Sequence, residues 1–451
     1  MKSLILFLII TLWSPEVQSQ QGSSVTLLGH LDKRHGQLGD YFYSDCWGYT
    51  APDGREYALL VAVDGTAIID ITDPANPHEV DFVLAPMHSN RDIKTYSHYA
   101  YVVSERDIGM QIIDLSFLPD SVHLVKNWTD GGFTRAHSIF QDGPYLYLVG
   151  GNAAQNGGIA IVSLADPVNP IKVGEWNEHQ VHDLYVRNDT IYAASMGNGF
   201  DIIDVQDKSN PQRITGFRYE NSGTHNIWLT GDGKYLLTTD EIDHPLKNVK
   251  IWDIQDLDNI KKIAEYTERS DAVVHNVYVR GNYAHLAYYA EGYVVIDITD
   301  PTNPIKVGGY STYPSNEPIW AGVLGLYPFF SSGNIIASDR QTGLYIFSFD
   351  STVVSDFKAD KITDYRLHQN YPNPFNFTTT ISYDLLQASQ VNLSVYNLLG
   401  QVVENLVNEF QTPGVYSVKF QNENLPSGIY FCKLNAGYQV LVKRMIFISA
   451  H

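Results

Sequence analysis

Apolar and polar positions recur along this chain with a long period. The decapeptides IIDITDPANP at 68–77, IVSLADPVNP at 161–170, IIDVQDKSNP at 202–211 and VIDITDPTNP at 295–304 each join an apolar, β-branched run to a turn rich in Asp, Asn and Pro. IIDLSFLPDS at 112–121 and IWDIQDLDNI at 251–260 are weaker copies, and LYIFSFD at 344–350 is a further run without its turn. Runs that are apolar on both faces suit strands buried between sheets, and proline, lacking a ladder N–H, stops them. The third residues of the six decapeptides, Asp70, Asp114, Ser163, Asp204, Asp253 and Asp297, and Ser348 of the last run are separated by steps of 44, 49, 41, 49, 44 and 51 residues.

Two strand-like runs precede each decapeptide, as in RDIKTYSHYAYVVS at 91–104 and HDLYVRNDTIYAAS at 182–195. A short run follows it, as in HEVDFV at 78–83 and IKVGEW at 171–176. Four strands per repeat with a period of about 45 residues predict an all-β fold, a seven-bladed β-propeller over 20–350. The seventh repeat, 319–350, ends at its third strand, while SVTLLGHL at 24–31 reads like IKVGEW. Pairing of that N-terminal segment with the last repeat would close the ring and leave no strand edge open.

The pattern changes after Ser351. Residues 351–365 read as a linker, and beyond them Val391, Leu393 and Val395 alternate with polar residues between turn signals at Asn397, Gly400 and Pro426 to Gly428. Half-buried strands of this kind predict a small Ig-like β-sandwich over 366–451.

Composition narrows the partners. With 12% aromatic and 18% charged residues the chain is an ordered globular one, and its net charge of −20 argues against nucleic acid or an anionic membrane as partner. Residues 1–19 carry Lys2, an apolar run from Leu4 to Trp13, and Val17 and Ser19 at the positions that precede cleavage. That run is too short for a transmembrane helix, which needs about 20 residues, so it predicts a signal peptide and a mature protein without a transmembrane segment. The two cysteines, Cys46 and Cys432, fall in different predicted domains and are expected to be unpaired.

The run Asn370-Tyr371-Pro372-Asn373-Pro374-Phe375-Asn376, then Tyr396 to Gln401 around Gly400, then Pro426-Ser427-Gly428-Ile429-Tyr430 and finally Lys443 resemble the C-terminal sorting domain of the type IX secretion system. Phe377 stands where that family usually has proline. The resemblance implies passage through the periplasm of a Gram-negative bacterium and handling by the type IX machinery. It also implies a product that is secreted or held on the exterior of the outer membrane. Residues 45–77, 181–195 and 327–347 resemble the LVIVD-repeat proteins, and among them the choice-of-anchor B group, in which a shared propeller precedes varying C-terminal anchors. That likeness implies an architecture and no activity.

Function therefore has to be sought in sites. Aligned repeats begin their innermost strands at Ser44, Arg91, His137, His182, His225, His275 and Trp320, followed by the small polar residues Asp45, Asp92, Ser138, Asp183, Asn226 and Asn276. Loops expected at the same channel mouth carry Glu105, Asp240, Glu241, Glu291 and Asp339. Imidazoles ringed by carboxylates suit one divalent metal ion, with His137, His182, His225 and His275 as ligands and Arg91, Glu105, Asp240, Glu241, Glu291 and Asp339 as ligand contacts. The competing reading gives each histidine and its polar neighbour to hydrogen bonds that brace adjacent blades. Three functions follow: a displayed binding or scaffold module for a glycan or protein, a metal-dependent hydrolase or lactonase-like enzyme, and a passive envelope protein. The first leads, its channel-mouth loops being rich in Tyr, Asn and Asp that could hold a glycan or protein, and Gly-Xaa-Ser-Xaa-Gly, phosphate-cradling loops and HExxH do not occur in the sequence.

Overall fold

A computed structural model describes residues 24–34, 41–241, 247–269, 272–313, 320–352, 365–370, 372–385, 389–411, 414–421, 425–436 and 439–448. The expected signal peptide and residues 353–364 of the expected linker lie outside these. Among the described residues there is no α-helix, only strands and two short 3₁₀ turns.

Each repeat is a four-stranded antiparallel sheet. The first sheet runs Tyr43–Thr50, Glu56–Ala62, Gly65–Asp70 and His78–Leu84 in spatial order, and the next five begin with Arg91–Tyr96, Ser138–Asp142, Asp183–Arg187, Thr224–Leu229 and Asn276–Arg280. In each, the apolar run of the decapeptide is the third strand, buried on both faces as its composition requires. The turn after it is held by its own polar residues. The Thr72 N–H donates to Asp70 Oδ1 (2.8 Å) and Asn76 Nδ2 to Asp73 Oδ2 (2.8 Å), so the backbone leaves the ladder without unpaired groups.

The last sheet takes strands from both ends of the repeat region. Val323–Tyr327, Ile335–Asp339 and Gly343–Phe349 are completed by Val25–Leu31, with Val25 opposite Phe349 and Leu31 opposite Leu344. A Cβ at Gly29 would lie 1.9 Å from the carbonyl oxygen of Pro74, just as one at Gly174 would lie 1.8 Å from that of Lys208. Both outer strands thus need glycine where the turn of the following sheet presses on them. First strands of successive sheets lie against one another, and Val323–Tyr327 contacts both Asn276–Arg280 and Tyr43–Thr50. The core fills the seams between sheets, as where Leu60 and Ala67 of the first meet Ile336, Leu344 and Ile346 of the last. Each such aliphatic side chain contributes about 1.5–3 kcal/mol on burial.

The C-terminal residues form a three-stranded sheet (Arg366–Leu367, Thr378–Leu385, Gly414–Gln421) and a four-stranded one (Val402–Gln411, Ser389–Tyr396, Gly428–Ala436, Gln439–Phe447). Ile381, Tyr383 and Phe420 from the first share a core with Leu393, Val395, Leu434 and Met445 from the second. The sorting motif is structural here. Asn370 Nδ2 donates to the Pro372 carbonyl (3.1 Å), Asn373 Oδ1 accepts the Ile446 N–H (2.8 Å), and Phe375 packs on Phe420 and Phe447. Pro374 and Lys443 are exposed, Gly400 takes φ +74° in its turn, and Gly428 opens a strand. Cys46 and Cys432 are both free and buried. No helix among the described residues is long and apolar enough to cross a membrane.

Candidate functional site

Where the first strands meet, equivalent residues stack in three tiers. The upper tier is fixed by bonds from one sheet to the next: Ser44 Oγ donates to the Arg91 carbonyl (2.8 Å), His225 Nδ1 to the His275 carbonyl (3.0 Å) and His275 Nδ1 to the Leu324 carbonyl (2.7 Å). The seventh position is therefore Leu324 and not Trp320, because the strand starts only at Val323, opposite Asp339. Leucine has no donor. Its bond to the first sheet is supplied by Ser338, whose Oγ donates to the Ser44 carbonyl at 2.6 Å.

The histidines form a row. Ring centroids are 4.1 Å apart for His137 and His182, 4.3 Å for His182 and His225, and 4.2 Å for His225 and His275. At one end His137 Nδ1 bonds Glu105 Oε1 (2.8 Å), whose other oxygen accepts from Asn90. At the other end Glu241 Oε2 lies 3.3 Å from His225 Nε2, and Glu241 Oε1 accepts the Tyr289 hydroxyl (2.7 Å). Tyr289 holds φ +35°, uncommon for a residue with a Cβ, and sets its ring edge toward His275 at 5.1 Å. Two sets of donors, His137 with His182 and His225, and His225 with Glu241 and His275, each have their ligand atoms within 4.8 Å of one another.

Charge varies along this row. Its hydrogen bond to His137 holds Glu105 down to about 2, and that carboxylate in turn raises His137 although burial alone would lower it. Burial, with the neighbouring imidazoles, pushes His182 and His275 well below the usual histidine range, so both are neutral.

The remaining expected contacts are engaged elsewhere. Arg91 is buried and gives Nη2 to Gln111 Oε1 (2.8 Å). Asp240, fully buried, pairs with Lys250 and accepts the Tyr219 hydroxyl. Asp339, equally buried, accepts the N–H groups of Gln341 and Thr342 at 2.9 Å. Glu291 pairs with Arg269 at 2.9 Å. Glu105 and Glu241 alone among the six reach the histidines.

The middle tier braces the sheets. Asp92 Oδ2 accepts Ser138 Oγ (2.8 Å) and the Ile139 N–H (2.9 Å), Asn226 Nδ2 donates to Asp183 Oδ2 (2.7 Å), and Asn226 Oδ1 accepts the Val277 N–H (3.0 Å). Lys94 Nζ sits 2.6 Å from Asp92 Oδ1 and 3.9 Å from Asp45 Oδ2. Burial and the nearby Asp92 raise Asp45 well above the carboxylate range, whereas Lys94 keeps Asp92 below it against the pull of burial.

The lower tier closes the centre with aromatic rings. Trp47, Phe140, Tyr185, Trp228, Tyr278 and Tyr327 occupy it, with Lys94 as the exception. Tyr185 and Trp228 are 4.4 Å apart, Trp228 and Tyr278 5.2 Å, and Trp47 and Tyr327 4.8 Å. Between this floor and the middle tier remains a cavity of about 20 Å³, room for about one water molecule. Sequence reasoning missed the floor, although two residues past five of the six polar positions the same face of the strand carries an aromatic ring. It also missed Tyr289.

Comparison with family models agrees with the repeat pattern and with the C-terminal motif. Residues 56–84, 180–216 and 273–312 match the LVIVD repeat, and residues 369–448 match the secretion system C-terminal sorting domain. The chain carries LVIVD repeats and a C-terminal sorting domain. This sorting domain supports export by type IX secretion and implies contact with that machinery. The LVIVD repeats suggest a propeller, in keeping with the cyclic contacts of the first strands. A search of curated proteins finds no match.

Proposed function

We propose that residues 20–350 are a seven-bladed β-propeller, closed by its N-terminal strand, that the type IX route delivers to the cell exterior as a binding module. In this reading 366–451 is a separate Ig-like sorting domain, and 1–19 is a signal peptide removed on export. One observation carries the binding assignment. Beside the histidine row Tyr41 and Trp320 stand half-buried around Arg340, whose guanidinium lies 3.4 Å from the Tyr41 ring centre. Trp320 is in edge contact with Tyr289 (5.4 Å), and exposed Arg106, Asp107, Arg135 and Asn152 continue the rim. Partly exposed aromatic rings set beside polar side chains suit an uncharged or weakly charged polar polymer, a glycan or a peptide.

Glycan and peptide arrays probed with the mature protein test this. Binding that falls at least about tenfold in Trp320→Ala, a loss of roughly 1.4 kcal/mol, supports the rim. Arrays that stay at background sink it. Export is tested separately: deletion of 366–451 is expected to leave the protein inside the cell, and undiminished secretion overturns that part.

A further inference from the structure

The contact between His225 and Glu241 contains an electrostatic puzzle. His225 Nδ1 faces only a carbonyl oxygen, that of His275 at 3.0 Å, so Nδ1 carries the proton. In the neutral ring Nε2 is then a lone pair, and it points at the Glu241 carboxylate from 3.3 Å. Two acceptors held together in a buried place require a cation between them. Either a proton shared by the two groups or a metal ion fills the gap.

We infer that His225 Nε2, His275 Nε2 and Glu241 Oε2 bind a divalent first-row transition metal ion. Each of the three residues offers a ligand atom within 4.8 Å of those of the other two, and His225 Nε2 and Glu241 Oε2 are already 3.3 Å apart. Bonds of about 2.0–2.2 Å put tetrahedral ligands roughly 3.4 Å apart, so the rings close on the ion by about 1 Å of movement. Every ligand already has the outer partner that such a site needs: the His275 carbonyl orients His225, the Leu324 carbonyl orients His275 through Nδ1 (2.7 Å), and Tyr289 holds the second oxygen of Glu241 (2.7 Å). The same two carbonyl bonds tie adjacent sheets together, so bracing uses one nitrogen of each ring and leaves the other for the metal.

Two nitrogens and one carboxylate oxygen match zinc, iron(II) or cobalt(II), and disfavour calcium and magnesium, which take oxygen ligands throughout. His182 is the neighbouring donor for a fourth position. Its ring is 4.3 Å from His225. The alternative set of His137, His182 and His225 has no carboxylate among its three donors to balance the charge of a divalent ion. The inference stands on these contacts and does not depend on what the rim binds.

The test uses the mature full-length protein, stripped with chelator and titrated with Co²⁺ and Zn²⁺. Expected are one equivalent bound with a dissociation constant below about 100 µM, and visible Co²⁺ absorption of nitrogen ligation. Tyr289→Phe, which keeps the ring packing, should weaken affinity about tenfold or more, and Glu241→Gln and His275→Asn should weaken it more still. His137→Asn should leave it nearly unchanged, and circular dichroism confirms that each variant is folded. No ion bound at that concentration leaves a proton between His225 and Glu241 as the answer and overturns the inference. So does binding that survives Glu241→Gln but is lost in His137→Asn. Metal binding with blank arrays would fail the rim reading alone, and array binding by a metal-free protein would fail this one alone.

Discussion

Ser338 Oγ lies 2.6 Å from the carbonyl oxygen of Ser44, a bond that joins the last sheet to the first across 294 residues of chain. The same hydroxyl accepts the Gly325 N–H at 3.1 Å, so it satisfies two buried backbone groups at one seam. Ser338→Ala removes both partners without changing the packing volume much. Leaving two buried groups unpaired should cost about 2–4 kcal/mol, read as a lower urea midpoint at constant slope. A variant as stable as the parent would mean that this seam is not held here.

Gly29 occupies the corresponding place on the outer edge of that junction. A Cβ there would meet the Pro74 carbonyl at 1.9 Å, with backbone and not a flexible side chain in the way. Gly29→Val should force the N-terminal strand off the first sheet and cost about 1–3 kcal/mol or more, measured by thermal unfolding. With the strand displaced, Gly343–Phe349 presents an open edge, so light scattering should show aggregation before the main transition.

Lys94 is the one cation among the middle-tier carboxylates. It stands 2.6 Å from Asp92 and 4.4 Å from the centre of the Trp47 ring, and both partners of the ion pair are buried. Lys94→Met leaves Asp92 charged in a place that water does not reach, and should destabilise the protein by about 3–5 kcal/mol. Adding Asp92→Asn removes the stranded charge while keeping an acceptor for Ile139, so the double variant should recover at least half of that loss. A double-mutant cycle with no coupling would show that the pair acts as two independent groups.

How far these sites could be read from the sequence depended on whether the signal was local. The repeat period, the third strands and the closing strand were legible, because β-branched runs and Asp/Pro turns act within ten residues. Val25–Leu31 carries the same pattern as Ile171–Trp176. The sorting motif was legible through its resemblance to a known family, which the match over residues 369–448 bears out. Side-chain direction was not. Asp240 and Glu241 are adjacent, yet Asp240 ends its strand facing Lys250 within the sheet and Glu241 faces His225, as alternation across a strand dictates. Their roles part on a one-residue phase that the loop composition does not reveal. Trp320 was misplaced because Gly322, at φ +93°, turns the chain immediately before the strand at Val323, a signal the repeat alignment passed over.

The pH dependence of stability should follow from the buried neutral histidines. His285 lies within the sixth sheet, bonded to the Tyr293 hydroxyl at 2.6 Å, and burial together with the Arg280 charge pushes it down to about 3. An unfolded histidine titrates near 6.5, so between about 6.5 and 3 the unfolded chain binds a proton that the folded one refuses, and stability falls as pH falls. One such group contributes about 1.4 kcal/mol per pH unit in that window. His182 and His275 act in the same direction, because burial lowers both. His137, raised by Glu105, acts oppositely: its contribution is complete below the unfolded value and disappears as pH rises through the folded one. Glu105, held at about 2, contributes above its unfolded value and is lost only in stronger acid. Three lowered imidazoles outweigh one raised one, so urea unfolding should give a clearly lower stability at pH 5 than at pH 7. His285→Gln should flatten that slope by about 1.4 kcal/mol per unit. An unchanged slope would show that His285 is protonated in the folded protein and that the seam around it admits water.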